Sequence, residues 1–356
     1  MPELELVLPG DLRTPTGGYE YDRRIVEGLR RHGWNVTLHA LHTSFPAPTA
    51  AALAHARDTF ARIPNGRTVL VDGLAFGALP DIANAEAQRL WLAGLVHHPL
   101  AAETGLDPER ADALRVSEAR ALAAAQLVIT TSAATARAVT EYGVQEERIA
   151  VVEPGTDPAP LAHGSGGPAL ELLCVAAIVP RKGHELLVEA LGHLAMYPWH
   201  LTCVGSLARS PETVARLRHR LVELRLADRV RLVGTLDRAA LDARYARADA
   251  FVLATYHEGY GMALAEALAR GLPIVSTRAG AVPDTVPADA GLLVAPGNVA
   301  ALRDALTRLL DDARLRASLA GGARRARERL PTWEESCARF EDALRRIPSA
   351  RGRLHG

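Results

Sequence analysis

Residues 250–271 read AFVLATYHEGYGMALAEALARG. The first five, Ala250–Ala254, are an apolar run of strand length. From Met262 to about Arg270 the pattern is helical. Between them lies His257-Glu258-Gly259-Tyr260-Gly261, with a glycine on either side of Tyr260. A buried strand, a glycine-bearing loop and a helix make one βα unit of a parallel sheet covered on both faces. The segment therefore predicts an α/β fold with a ligand loop at the carboxyl end of a strand.

The same alternation extends in both directions. Leu170–Ala177, Leu201–Val204, Val230–Val233 and Pro273–Ser276 read as further strands of the second half. Leu4–Leu8, Val36–His39, Thr68–Val71, Leu92–Val96, Leu127–Thr131 and Ile149–Val152 read as strands of the first half. Helical patterns lie between them, such as Tyr21, Ile25 and Leu29 recurring every four residues. Residues 153–168, EPGTDPAPLAHGSGGP, are crowded with proline and glycine and read as a linker. The expectation is two Rossmann-like, doubly wound domains facing across a cleft, 1–160 and 161–330. Residues 331–356 would form a C-terminal helix, Trp333–Ile347, and a tail returning to the first domain.

Composition narrows the function. The chain has 356 residues, enough for two domains. Hydrophobic residues make up 48% and charged residues 23%, as in globular proteins. Lys+Arg and Asp+Glu are both 41, and aromatics are 4%, which disfavours nucleic acid as a partner. Cys174, Cys203 and Cys337 show no C-x-x-C spacing, which disfavours a disulfide framework or a structural zinc site and fits a reducing cytoplasm. No basic, apolar leader opens the chain, and no apolar run nears the roughly 20 residues that span a bilayer. The first helix carries Arg23, Arg24, Arg30, Arg31 and His32, a pattern that leaves peripheral contact with the inner face of a membrane open, although Asp22 and Glu27 dilute it.

Several motifs are missing. There is no D-x-D to clamp a metal-bound nucleotide, no G-x-G-x-x-G in the first βα turn, no Walker A sequence, no H-E-x-x-H and no G-x-S-x-G.

Four constellations can carry chemistry. In the first, Glu258 sits in the loop and Glu266 more than one turn into the helix. At 1.5 Å per residue, Met262 to Glu266 spans about 6 Å, which suits an elongated ligand with hydroxyls at both ends. Gly259 and Gly261 permit close approach of the backbone, and the helix N-terminus, with Tyr260 and Met262 beside it, offers amides to an anion. A plain helix-capping loop is the bland alternative. The second is Pro180-Arg181-Lys182-Gly183, two cations at the end of a strand and a plausible diphosphate clamp that needs no metal. The third is Thr14-Pro15-Thr16-Gly17-Gly18-Tyr19, read as a loop between the first strand and the first helix. The fourth is Val96-His97-His98-Pro99, an extended pair of which one histidine faces the ligand side.

Together these segments resemble the retaining glycosyltransferases of the GT-B fold, most closely family 4, with its E-x7-E motif. The resemblance covers nearly the whole chain. It implies a hexosyltransferase using a UDP- or GDP-linked sugar, with no metal and no other cofactor. It implies that Glu258 and His97 contact the donor sugar, that Gly259 to Met262 face the diphosphate with Arg181 and Lys182, and that Glu266 holds the ribose. Gly17 and Gly18 would approach phosphate or acceptor. The acceptor, a small molecule, a saccharide or a lipid-linked group, is left open, as is the oligomeric state. The chain departs from the family pattern at Ala177, where an arginine is common, and at Pro154, Ala279 and Asp284. Two other readings stay open: a sugar-nucleotide epimerase or hydrolase of the same fold, and a non-catalytic nucleotide-sugar-binding protein.

Overall fold

The computed structural model describes residues 1–347. The expected tail beyond Ile347 lies outside them. The chain divides into two compact units: residues 1–155 together with the segment from Pro331, and Thr156–Leu330. The division falls at Gly155 rather than at 160. A Cβ on Gly155 would sit 2.4 Å from the Trp333 backbone, so this residue is packed into the first unit. Ala159, by contrast, accepts a hydrogen bond from Arg327 Nη2 (2.8 Å), and Ala162 N donates to Arg270 O (2.9 Å), both in the second unit.

The first unit is built on six parallel strands: β1 (Glu3–Pro9), β2 (Asn35–Leu41), β3 (Thr68–Asp72), β4 (Trp91–Val96), β5 (Leu127–Thr130) and β6 (Ile149–Val151). Their order is β2-β1-β3-β4-β5-β6. The second has β7 (Leu170–Val175), β8 (Trp199–Val204), β9 (Val230–Gly234), β10 (Ala250–Leu253), β11 (Ile274–Thr277) and β12 (Gly291–Val294), in the order β12-β11-β10-β7-β8-β9. All pairings are parallel. Burial on both faces explains why the central strands are runs of Leu, Val and Ile with little polar alternation. Strand β12, which the sequence did not suggest, is a four-residue edge strand begun by a glycine and only partly buried.

Each sheet reverses its winding once, between β1 and β3 and between β7 and β10. Ligands of doubly wound sheets bind outside the carboxyl ends of the strands at such switch points. The residues just after β1, β3, β7 and β10 therefore have a special position.

The helix Trp333–Arg345 ends two residues earlier than expected and packs on the helix Gly17–Arg31 of the first unit. Thr332 and Glu335 form a reciprocal capping box at its start. Tyr21 anchors the contact, with its ring 6.1 Å from Trp333 and 6.4 Å from Phe340 and its hydroxyl donating to Val152 O (3.0 Å). Gly28 is needed there, because a Cβ would lie 2.0 Å from Cys337 Sγ. The arginines of the first helix are partly engaged within the fold: Arg23 and Arg24 pair with Glu20, and Arg30 Nη2 donates to Val36 O. Among the described residues no helix is long and apolar enough to cross a membrane.

One buried carboxyl supports the segment carrying His97. Glu118, on the helix Pro108–Ala123, accepts a hydrogen bond at Oε2 from Leu100 N (2.8 Å), while its Oε1 has no partner among the described residues. Burial pushes its pKa up to about 8, only partly offset by that bond. The folded chain thus holds a proton that the unfolded chain releases above its ordinary pKa near 4.5. Stability from this group is complete below that value and is lost as pH rises toward 8. Glu118→Gln, which keeps the acceptor and removes the charge, should raise the stability of the first unit by a few kcal/mol at pH 8–9 and by nothing at pH 4. Chemical denaturation across that range checks it, and an equal effect at both ends would contradict the burial argument.

Candidate functional site

In the second unit the loops after β7 and β10 meet at the switch point. Lys182 Nζ donates to Glu258 Oε1 at 2.6 Å, and the two side chains are only 17% and 7% exposed. Arg181 ties the same two loops together. Its Nη1 donates to His257 O (2.8 Å), and its carbonyl accepts from Tyr256 N (2.8 Å) and Thr255 Oγ1 (3.0 Å). Two glycines make this approach sterically feasible. Gly183 has φ +64°, and a Cβ would lie 1.9 Å from Ala254 O; Gly280 has φ +56°, and a Cβ would lie 2.2 Å from Glu258 O.

The charges are unbalanced. Burial alone would push the Glu258 carboxyl up, but Lys182 and Arg181 outweigh it and hold it below the usual range. Burial pulls the Lys182 ammonium down, with Arg181 adding repulsion and Glu258 only partly restoring it. Two cations thus share one carboxylate, and the surplus positive charge suits an anionic ligand.

The helix Met262–Ala269 begins directly after this loop. Its N-cap, Gly261, has φ +92° and no side chain to satisfy the first-turn amides. Gly259 and Tyr260 lie in the loop before it, and Met262 is its first residue. Glu266 sits one turn on, partly buried, where Oε2 accepts from the Tyr245 hydroxyl (2.9 Å) and Oε1 from Arg238 Nη1 (3.4 Å). Glu258, Gly259 to Met262 and Glu266 therefore lie along one loop–helix segment, with Arg181 and Lys182 beside its first acid. Tyr245 and Arg238 were not singled out from sequence. They belong to a helix 20 or more residues upstream, and only the fold brings them to Glu266.

In the first unit His97 directly follows β4, the strand next to β3. Its Nε2 lies 3.0 Å from Asp22 Oδ1 and 3.8 Å from Asp72 Oδ2. Both acids are almost fully buried. Tyr21 packs edge-on against the imidazole at 5.5 Å. His98 turns elsewhere, with Nε2 3.6 Å from Glu103. Gly17 and Gly18 are the first two residues of the helix Gly17–Arg31, not loop residues as the sequence suggested, because Thr16 caps the helix by accepting from Tyr19 N (3.1 Å). A Cβ on Gly18 would lie 3.3 Å from the His97 ring, so this glycine gives the imidazole its room, whereas nothing crowds Gly17. Asp22 and Asp72 were missed because a single acid in a helix or at a strand end carries no spacing signal.

Burial opposes a charge on His97, but Asp22 and then Asp72 outweigh it, so the imidazole titrates above its usual value. Burial and the neighbouring Asp22 push Asp72 up to about 7. Asp22→Asn should move the His97 titration down, to or below the ordinary value near 6.5. Proton NMR of the imidazole follows it, and an unchanged midpoint would refute the assignment of Asp22 as its partner.

The chain is similar to known glycosyltransferases in sequence and in fold. Residues 161–326 match the sequence model of the family "Glycosyl transferases group 1". The chain is 29% identical over 301 residues to the D-inositol 3-phosphate glycosyltransferase of Pseudarthrobacter chlorophenolicus, covering 78% of this chain and 70% of that protein. It is 30% identical over 230 residues to the MMP alpha-(1->4)-mannosyltransferase of Mycolicibacterium hassiacum, covering 62% and 55%. The chain thus spans between just over half and seven-tenths of the length of these relatives. Among solved structures, sucrose-phosphate synthase of Thermosynechococcus elongatus superposes with a TM-score of 0.82 at 21% identity, over 98% of this chain and 99% of that one. HepE of Anabaena superposes with a TM-score of 0.77 at 18% identity, over 96% and 100%. Residues 161–326, most of the second unit, therefore match a glycosyl transferases group 1 domain, and the chain shares the GT-B fold of these structures.

Proposed function

We propose that the enzyme moves a hexosyl unit, with retention of anomeric configuration and without a metal ion at the diphosphate, from a UDP- or GDP-linked sugar to an acceptor hydroxyl. The observation that carries this reading is the surplus positive charge of Arg181 and Lys182 around the single carboxylate of Glu258. Two relatives' names support it, being glycosyl- and mannosyltransferases. So do crystals of HepE that hold UDP-glucose, or UDP with glucose.

In this reading the diphosphate lies on the first-turn amides of the helix Met262–Ala269, with Gly259, Tyr260 and Gly261 leading into it. Arg181, in place of the arginine absent at Ala177, and Lys182 neutralise it. Glu266 takes the ribose hydroxyls, and Glu258 and His97 orient the sugar. Gly17 and Gly18 serve the acceptor side. As the acceptor oxygen bonds to the anomeric carbon, the bond to the diphosphate breaks. Its electron pair leaves on the diphosphate oxygen, which then takes the acceptor's proton. No side-chain nucleophile is required. The protein contributes position and fixed positive potential where negative charge develops.

Lys182→Ala should lower kcat about 10²–10³-fold with a smaller change in KM, the size expected for loss of one preorganised charge-stabilising group. Glu266→Ala should weaken donor binding about tenfold to a hundredfold through loss of a charge-assisted hydrogen bond. Adding or withholding Mg2+ or Mn2+ should change neither. Nucleotide-sugar panels read by thermal shift and by nucleoside diphosphate release test all three, and strict dependence on Mg2+ or Mn2+ would defeat the reading of a diphosphate held without a metal. Isomerised sugar formed from donor alone would favour an epimerase. Tight donor binding without turnover across broad acceptor panels would favour a binding protein.

A further inference from the structure

A second cluster lies just below the Lys182 loop, and the proposed transfer does not use it. Cys174 and Cys203 are register partners on the adjacent parallel strands β7 and β8. Parallel register partners present their side chains to the same face of the sheet. The third member, His184, is the first residue of the helix His184–Gly192, which starts directly after the left-handed Gly183. All three are buried, with exposures of 1%, 2% and 2%.

His184 Nε2 lies 3.6 Å from Cys174 Sγ, and the ligand atoms of all three residues fall within 4.8 Å of one another. Three atoms within 4.8 Å of one another all lie within about 2.8 Å of a common point. Zinc bonds to thiolate at about 2.3 Å and to imidazole at about 2.0–2.1 Å. An ion could therefore sit among these atoms with movements of a few tenths of an ångström. Only Nε2 of the ring is engaged, since His184 Nδ1 is buried with no hydrogen-bond partner among the described residues. The cysteine spacing in the sequence gives no hint of this, because 29 residues separate the two thiols and only the β7–β8 register joins them.

We propose that Cys174, His184 and Cys203 form a binding site for one thiophilic d10 cation, of the Zn2+ or Cu+ class. Two thiols and an imidazole are soft donors that select such ions over Mg2+, Ca2+ or Mn2+. Binding releases the two thiol protons and gives the cation two thiolates and one neutral imidazole. With Zn2+ the three-ligand site is electrically neutral, which favours it in a buried setting. The ion would tie the ends of β7 and β8 to the start of the helix that follows Lys182. Its role is to brace that loop, and it takes no part in holding the diphosphate.

The test uses the full chain, freed of metal with a chelator and kept reduced by a thiol-free reductant. Cobalt(II) is titrated in as a spectroscopic stand-in for zinc, and Zn2+ and Cu+ are then measured in competition with chromogenic chelators. A single equivalent should bind with thiolate-to-cobalt charge-transfer absorption, and zinc should raise the unfolding temperature. Cys174→Ser and Cys203→Ser should each weaken binding at least as much as the roughly 10–100-fold typical of losing an outer partner, and His184→Ala should weaken it too. Cys337→Ser, in the other unit, should bind as the unaltered chain does. Circular dichroism confirms that each variant is folded, and native mass spectrometry of the unaltered chain with and without zinc gives a reading that needs no variant. Absence of the thiolate band, or a band that survives in folded Cys203→Ser, would overturn the site and leave the cysteines as packing residues.

Discussion

The ion pair between Lys182 and Glu258 is the constraint around which the second unit is arranged. Withdrawing both charges from water is costly, and their attraction repays that cost only when geometry is tight and the remaining polar atoms are satisfied. The loops supply that geometry. Gly183 and Gly280 let backbones pass at distances no side chain would tolerate, and Arg181 ties the β7 loop to the β10 loop through three hydrogen bonds. A hydrophobic pair would be cheaper here. What the ion pair provides instead is a lysine whose position is fixed and whose charge is only partly cancelled, because Arg181 adds a second cation.

The sequence disclosed the βα rhythm because strands buried on both faces must be written in Leu, Val and Ile. Ala250–Leu253 and Leu127–Thr130 were legible for that reason. Gly291–Val294 was not, since an edge strand of four residues opened by a glycine looks like any apolar turn. The candidate acids Glu258 and Glu266 were legible through glycine neighbours and helical spacing, both of them local signals. Their partners were not. Lys182 and Glu258 are 76 residues apart, His97 and Asp22 are 75 apart, and Tyr245 reaches Glu266 from a neighbouring helix. Local pattern fixes which residues stand at strand ends, while strand order decides which ends become neighbours. The reversal of winding at β7/β10 is what places residue 182 beside residue 258.

The two switch points carry opposite electrostatic characters. After β7 and β10, two cations surround one carboxylate. Around the ends of β1, β3 and β4, two buried carboxyls surround one imidazole, and burial, with Asp22 beside it, pushes Asp72 up to about 7. The first arrangement attracts an anion. The second favours the protonated form of the imidazole. The same doubly wound sheet can supply either, because the strands fix only where the loops begin. The few residues after each strand set the sign of the field. Gly18, on the first helix, makes room for the His97 ring, and Gly183 and Gly280 let the loops of the second unit close around Glu258.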